Sequence, residues 1–229
     1  MFLSIIFPAY NEDQNIEFAV REALSFLQAK DGEVIVVNDG SEDKTREIVD
    51  QLAKTYPQKV RVIHHAKNLG YAATLRDGFS KASGQWIFYT DSDNQFRLSE
   101  IDLLLAESDG ADIVIGYRKN RQDPWIRKFA AKVFNAIIRI IFGVRVKDVD
   151  CAFKLFDRSV FKKIKIESKG FLVDTEILTK AFRYGMLIRE VGVTHLPRKF
   201  GHSTVRVRDV VRTLKGLLWL RTKIQEDIS

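Results

Sequence analysis

The sequence predicts an α/β fold built on a mostly parallel sheet with helices on both faces. Three observations carry that expectation. Short β-branched runs alternate with longer amphipathic segments through the first two thirds of the chain, small polar clusters recur just after successive runs, and the length and apolar content suit one α/β unit with a substantial core. The order opens with LSIIFP as a strand and EFAVREALSFLQ as a helix, then EVIVVND and DKTREIVDQLAKTY, VRVIHH and AATLRDGFSKA, QWIFYTD and LSEIDLLLAE, and DIVIGYR. Beyond Gly116 come a long basic segment, WIRKFAAKVFNAIIRIIFG, a strand AFKLFD expected to run antiparallel, and a helix around DTEILTKAFRYG. A strand LIREVGV and a second basic amphipathic stretch, TVRVRDVVRTLKGLLWLRTK, complete the pattern.

One domain over residues 1–229 is expected, with a βα half at 1–116 and a second part at 117–229, because no Gly/Ser-rich or Pro-rich linker and no internal repeat divides the chain. The single cysteine, Cys151, cannot form an internal disulfide, and MFLSIIFPAYNE lacks the basic start and long apolar core of a secretory signal, so a reducing, cytoplasmic setting is expected. No apolar run reaches the roughly 20 residues that span a bilayer; the nearest, AIIRIIFGV, is interrupted by Arg139. The net charge of +7 predicts an anionic partner, whether nucleic acid, acidic lipid or a phosphate-bearing substrate.

In parallel sheets ligands bind outside the carboxyl ends of the strands. Pro8, Tyr10, Asn11 and Glu12 follow the first predicted strand, Asn38 to Ser41 the second, Asn68 and Gly70 the third, and Asp91, Asp93 and Gln95 the fourth. Each cluster taken alone also reads as helix capping, Ser41 to Asp43 most of all. Four in succession predict one polar crevice. In an extended segment alternate residues point the same way, so Asp91, Asp93 and Gln95 would offer two carboxylates and an amide oxygen to one side, a donor set for Mg²⁺ or Mn²⁺ completed by substrate phosphates. A second such pair, Asp148 and Asp150, shows that spacing alone is weak evidence.

Trp125, Phe129, Val133, Ala136, Ile137 and Ile140 recur at helical spacing. Two readings stand: a helix packed on the core by that stripe, or an interfacial helix with the stripe in lipid and Arg127, Lys128, Lys132 and Arg139 near headgroups.

Taken in order, these fragments resemble the family 2 glycosyltransferases with the GT-A fold, and within them the polyprenyl-phosphate (dolichol-phosphate) hexosyltransferases. FPAYNE looks like P-x-Y-N-E, VVNDGSEDKT resembles D-D-G-S-x-D-x-T, and NLGYAATLRDGFSKASGQWIFYTDSDNQ is similar to the run that ends in D-x-D-x-Q. GYRKNR, DVDCAFKLFDR and RKFGHS look like G-x-R, D-x-x-x-G-F and R-x-x-G-x-S. The resemblance implies that residues 1–116 bind a nucleotide-sugar donor and 117–229 the acceptor and a membrane surface. It implies that Pro8, Tyr10, Glu12 and Asp39 hold the nucleoside, that Asp91 contacts the ribose or donor sugar, and that Asp93 and Gln95 ligate Mg²⁺ or Mn²⁺. Arg118, Arg127, Arg198 and Ser203 would handle phosphates, a role suited to the planar guanidinium fork. Two departures stand out: Asn38 replaces the first aspartate of D-D-G-S, and Ala152 replaces the glycine before the later phenylalanine.

The implied reaction is inverting transfer of a hexose, from GDP-mannose or UDP-glucose, to a polyprenyl phosphate at the cytoplasmic membrane face, with a membrane partner protein left open. A lipid phosphate, largely dianionic at neutral pH, needs no general base. A sugar hydroxyl acceptor would need one, from Asp148, Asp150, Asp174 or Glu176, of which Asp148 best matches the motif. A basic nucleic-acid-binding or scaffold protein is the rival from another class, and no nucleic acid is expected as partner. PAYNE in place of a G-x-G-x-x-G turn disfavours a dinucleotide oxidoreductase. His64, His65, His195 and His202 lack metal-ligand spacing and read as structural or solvated, Cys151 as a packed thiol, and Phe153, Phe156, Phe161, Phe171 and Phe182 as core.

Overall fold

LSIIFPA is buried along its whole length as strand β1 (Leu3–Ala9), as a strand covered on both faces must be. The computed structural model describes residues 2–119, 125–198, 200 and 207–226. After β1 come α1 (Ile16–Phe26), β2 (Gly32–Asn38), α2 (Thr45–Thr55), β3 (Val60–His64), α3 (Tyr71–Lys81), β4 (Trp86–Thr90), α4 (Ile101–Ala106) and β5 (Ile113–Lys119). The second part contains α5 (Trp125–Phe142), β6 (Phe153–Asp157), α6 (Val160–Lys163), α7 (Val173–Arg183), β7 (Ile188–Thr194) and α8 (Val207–Glu226). Every predicted strand and helix is present, with ends shifted by a few residues at most.

The seven strands form one sheet in the order β3-β2-β1-β4-β6-β5-β7. β6 runs antiparallel to both β4 and β5, while the other neighbours pair in parallel. Alternation along β1 sends Ile6 to one face, where it joins Leu75 and Phe79 of α3 and residues of α5, α7 and α8. Ile5 and Phe7 go to the other, against α1, α2 and α4.

Two local features serve the sheet's carboxyl edge. Pro8 sits in a central strand because the β4 ladder on β1 ends at Ile6↔Tyr89, so no hydrogen bond to β4 is lost at the missing N–H. Gly78 lets α3 settle onto β1, since a Cβ there would lie 2.7 Å from Ile6 Cγ2. With β6 inserted as it is, the carboxyl ends of β1, β2, β3, β4 and β5 all open on one edge, and the segment leading into β6 starts there too. Thr90 pairs with Phe153, which brings Asp91 beside the 148–152 segment.

Candidate active site

The crevice assembles from those strand ends. A cavity of about 300 Å³ at the ends of β1, β2 and β3 is lined by Tyr10, Asn38, Ser41, Arg46, His65 and Lys67 among others. Its two loops touch: Gly40 has φ +66°, and a Cβ there would lie 2.5 Å from the Lys67 carbonyl carbon, so only glycine fits. Asn38 and Asp39 are buried beneath this cavity. Asn38 accepts from the Ser41 N–H at 3.2 Å and donates through Nδ2 to His64 Nδ1 at 3.0 Å, while His64 Nε2 meets Asp50 at 2.8 Å. An aspartate at 38 would set acceptor against acceptor at an unprotonated Nδ1, which gives the Asn38 departure a physical reason.

Asp39 is among the residues that the resemblance assigns to the nucleoside. Its oxygens accept from His65 Nδ1 at 2.6 Å, Leu69 N–H at 2.8 Å and Gly70 N–H at 2.8 Å, so it also fixes the neighbouring loop. Pro8 offers its carbonyl to the Ser92 hydroxyl at 2.9 Å. Glu12 is held by Asn15 Nδ2 at 2.7 Å and by Arg198 at 2.5 Å.

Past Asp91 the chain departs from the extended geometry expected of it. Residues 92–94 turn, with Asn94 at φ 58°, and Asp93 Oδ1 accepts from the Gln95 N–H at 3.2 Å. Strand alternation therefore does not set the direction of Gln95, whose side-chain amide donates to Leu196 at 3.0 Å while Leu196 N–H returns to the Gln95 carbonyl at 2.8 Å. That exchange, with the Phe96–His195 bridge, straps the segment before Arg198 onto the Asp91–Gln95 turn. Asp91 accepts from the Tyr71 hydroxyl at 2.9 Å. Burial and the nearby Asp93 carboxylate push Asp91 up to about 7. Burial raises Asp93 as well, opposed by Arg198. Buried like charges at a strand end are a donor set that a hard divalent cation would relieve, so these residues fit Mg²⁺ or Mn²⁺. Among the described residues no three His, Cys, Asp or Glu side chains form a metal cage.

Of the four carboxylates considered as bases, three are occupied. Asp148 receives both arms of Arg118, Nε at 2.6 Å and Nη2 at 2.7 Å, so two predicted site residues satisfy each other. Asp174 accepts from Tyr89 and pairs with buried Lys154 at 2.9 Å. Glu176 accepts from the N–H groups of Glu167 and Ser168 and pairs with Lys180 at 2.9 Å. Asp150 is exposed at the rim. Loss of water on its protein side, with Asp174 and Asp148, raises it to about 7 against Lys154 and Arg118, an interaction that its exposure to solvent screens. Lys154 is the residue that sequence reasoning missed: fully buried, it also donates to the Cys151 carbonyl at 2.6 Å. A lysine inside FKLFD reads as an outward strand position, but the face it points to is covered and it meets Asp174 of α7. Burial pushes the Cys151 thiol up, consistent with packing.

Arg127 falls in α5, but its side chain, like Ser203 and His202, lies outside the described residues. Phe153, Phe156 and Phe161 are packed in the interior, whereas Phe171 and Phe182 are exposed and correct the expectation that all five are core. On α5 the predicted stripe faces outward: Trp125 is 75%, Phe129 63% and Ile140 82% exposed. The core contact comes from Phe134, Ile138, Ile141 and Phe142, joined by Ile137, the one member of the predicted stripe that packs inward. On α8, Leu218 and Trp219 are exposed while Leu217 and Leu220 are buried. Among the described residues no helix is long and apolar enough to cross a membrane.

Comparison with known proteins places this geometry. The chain is 32% identical over 213 residues to a dolichyl-phosphate beta-glucosyltransferase of Trichomonas vaginalis, covering 84% of this chain and 65% of that one. It is 30% identical over 223 residues to the dolichyl-phosphate beta-glucosyltransferase of Saccharomyces cerevisiae, covering 85% and 66%. To a polyprenol monophosphomannose synthase of Mycolicibacterium smegmatis it is 29% identical over 211 residues, covering 87% and 79%. The chain thus spans slightly less than two thirds of the first two relatives. Among solved structures, glucosyl-3-phosphoglycerate synthase of Mycobacterium tuberculosis, in complex with Mn²⁺, uridine diphosphate and glucosyl-3-phosphoglycerate, matches with a TM-score of 0.74 at 20% identity, covering 96% of this chain and 79% of that one. That likeness shows the GT-A fold. The family model described as Glycosyl transferase family 2 matches residues 4–165, and the chain belongs to that family.

Proposed function

We propose that this chain moves a hexose from a nucleotide sugar, GDP-mannose or UDP-glucose, onto a polyprenyl phosphate at the cytoplasmic face of a membrane, with inversion at the anomeric carbon. The observation that carries the reading is the Asp91–Asp93 pair at the β4 end, half-buried and buried in turn, facing Arg198, in a family 2 glycosyltransferase. The similarity to enzymes named for dolichyl and polyprenol phosphates supports the acceptor class.

The residues divide the work by charge. A bound Mg²⁺ or Mn²⁺, held by Asp93 with Gln95 as a neighbouring oxygen donor, supplies neutralisation of a diphosphate leaving group. Asp91, oriented by Tyr71, accepts hydroxyl donors of the ribose or sugar. Arg198 exchanges its Glu12 partner for diphosphate oxygens, a trade between two anions that leaves its charge satisfied throughout. Arg127 and Ser203 are assigned to phosphate as well. Arg118, also assigned to phosphate, is held in place by Asp148, so its N–H donors outside that pair need no reorganisation to meet an anion. The outward stripe of α5 and the exposed Leu218 and Trp219 of α8 support docking on lipid, with or without a membrane partner protein.

A second reading, transfer to a sugar hydroxyl, rests on Asp150, the one of the four candidate bases left at the surface. Asp150→Asn separates the two: hydroxyl transfer would be lost, and transfer to a phosphate dianion would persist. For the donor site, Asp93→Ala should abolish Mg²⁺-dependent binding of GDP and UDP in calorimetry with the fold retained. Unchanged binding would remove Asp93 from the assignment.

A further inference from the structure

The adjacent histidines at the end of β3 point to opposite sides, and each holds one residue of the Asn38–Asp39 pair. His65 is the more constrained. It is buried, with Nδ1 2.6 Å from Asp39 Oδ1 and Nε2 2.9 Å from Asp77 Oδ2. Its backbone N–H also donates to the Asn38 carbonyl at 2.9 Å. The ring therefore bridges a strand-end carboxylate under the cavity to a carboxylate on α3.

What Asp39 does with its remaining valences gives that bridge a consequence. It collects the N–H groups of Leu69 and Gly70, and Gly70 is the residue from which α3 starts. The loop so held, residues 65–68, forms one wall of the cavity, and Gly40 of the opposite wall packs against its Lys67–Asn68 backbone. The two walls stay in register only while Asp39 keeps its direction. A buried carboxylate collecting three donors has no slack to spare if one partner is withdrawn.

We propose that His65 is a positioning residue for the nucleoside end of the donor, clamping Asp39 against Asp77 so that the 65–70 loop presents a fixed wall to the base and ribose. This rests on the nucleotide-sugar reading above. It assigns His65 no contact with the reacting atoms: its effect is on nucleoside affinity, through Asp39 and the loop.

The test uses the full chain, with GDP, UDP, GMP and UMP as probes in calorimetry, inorganic pyrophosphate with Mg²⁺ as a control, and steady-state kinetics with the corresponding nucleotide sugars. His65→Ala is the direct variant. Asp77→Asn, at a half-buried helix position, keeps the imidazole and removes only its outer charged partner, so it stays informative if the first variant unfolds. The expected result is about tenfold weaker nucleoside monophosphate binding for His65→Ala, and a smaller loss in the same direction for Asp77→Asn. Donor KM should rise with kcat within about threefold, and pyrophosphate binding should be unchanged. If wild type binds the nucleotides and both variants bind them equally well, or if kcat falls while KM stays fixed, the assignment is overturned alone. Should wild type bind none of the nucleotides, the donor reading falls and takes this assignment with it.

Discussion

Tyr71 donates its hydroxyl proton to Asp91 Oδ1 across 2.9 Å, which ties the first residue of α3 to the residue that follows β4. Burial, with Asp91 and Asp174 nearby, holds the phenol well above its ordinary range, so it remains a donor at neutral pH. Tyr71→Phe removes this bond and little else. It is expected to lower kcat/KM by about tenfold with only a small change in Tm, read from steady-state kinetics beside thermal denaturation. An unchanged kcat/KM would separate Asp91 from the reaction.

The Asp91–Asp93 pair makes stability depend on pH and on divalent cations. Burial and mutual repulsion raise Asp91 to about 7 in the folded chain, against about 3.9 when unfolded. Between those values the native state binds more protons than the unfolded one, so stability falls as pH rises through this window. If Asp93 holds Mg²⁺ beside an ionised Asp91, the ion should raise Tm more at about pH 8 than at about pH 5.5, where protons compete with it. Equal shifts at both pH values would argue against cation binding at this pair.

Lys154 and Asp174 form a buried pair beneath the site. Lys154→Met leaves the Asp174 charge without its cation and should cost about 3–5 kcal/mol in urea denaturation. Adding Asp174→Asn should recover part of that loss, since the remaining carboxamide carries no charge. A double variant no better than the single one would mean that the lysine acts by packing alone.

The outward faces of α5 and α8 predict association with anionic vesicles at low ionic strength. Trp125→Ala combined with Phe129→Ala should weaken vesicle binding by at least about tenfold, by the area rule for burying aromatic side chains. Cosedimentation would measure it, with Tm as the control for folding. Equal binding by the double variant would move the lipid contact elsewhere.

The sequence made the strands legible because EVIVVND and QWIFYTD are continuous apolar runs, which a doubly covered parallel strand requires. It did not show that β6 enters between β4 and β5, because such a pairing joins residues some 40 to 70 positions apart, with no local signal. The same insertion hides Lys154. On α5 the periodicity revealed an apolar stripe but not its direction: Phe134, Ile138, Ile141 and Phe142 form a rival stripe that shares the Ile137 edge of the predicted one, and only packing decides which faces in. Asp91 and Asp93 were located at a strand end from the run before them. The bond between Asp39 and His65, which follows β3, has no local signal in the sequence, because it joins residues 26 positions apart.

Nucleotide release by the purified protein tests the central claim most directly, using Mg²⁺ or Mn²⁺ with GDP-mannose or UDP-glucose, each with and without a short polyprenyl phosphate. The account predicts release that requires one of the donors together with the lipid. Donor hydrolysis indifferent to the lipid would contradict the proposed acceptor, and no release from either donor would contradict the proposed donors as well.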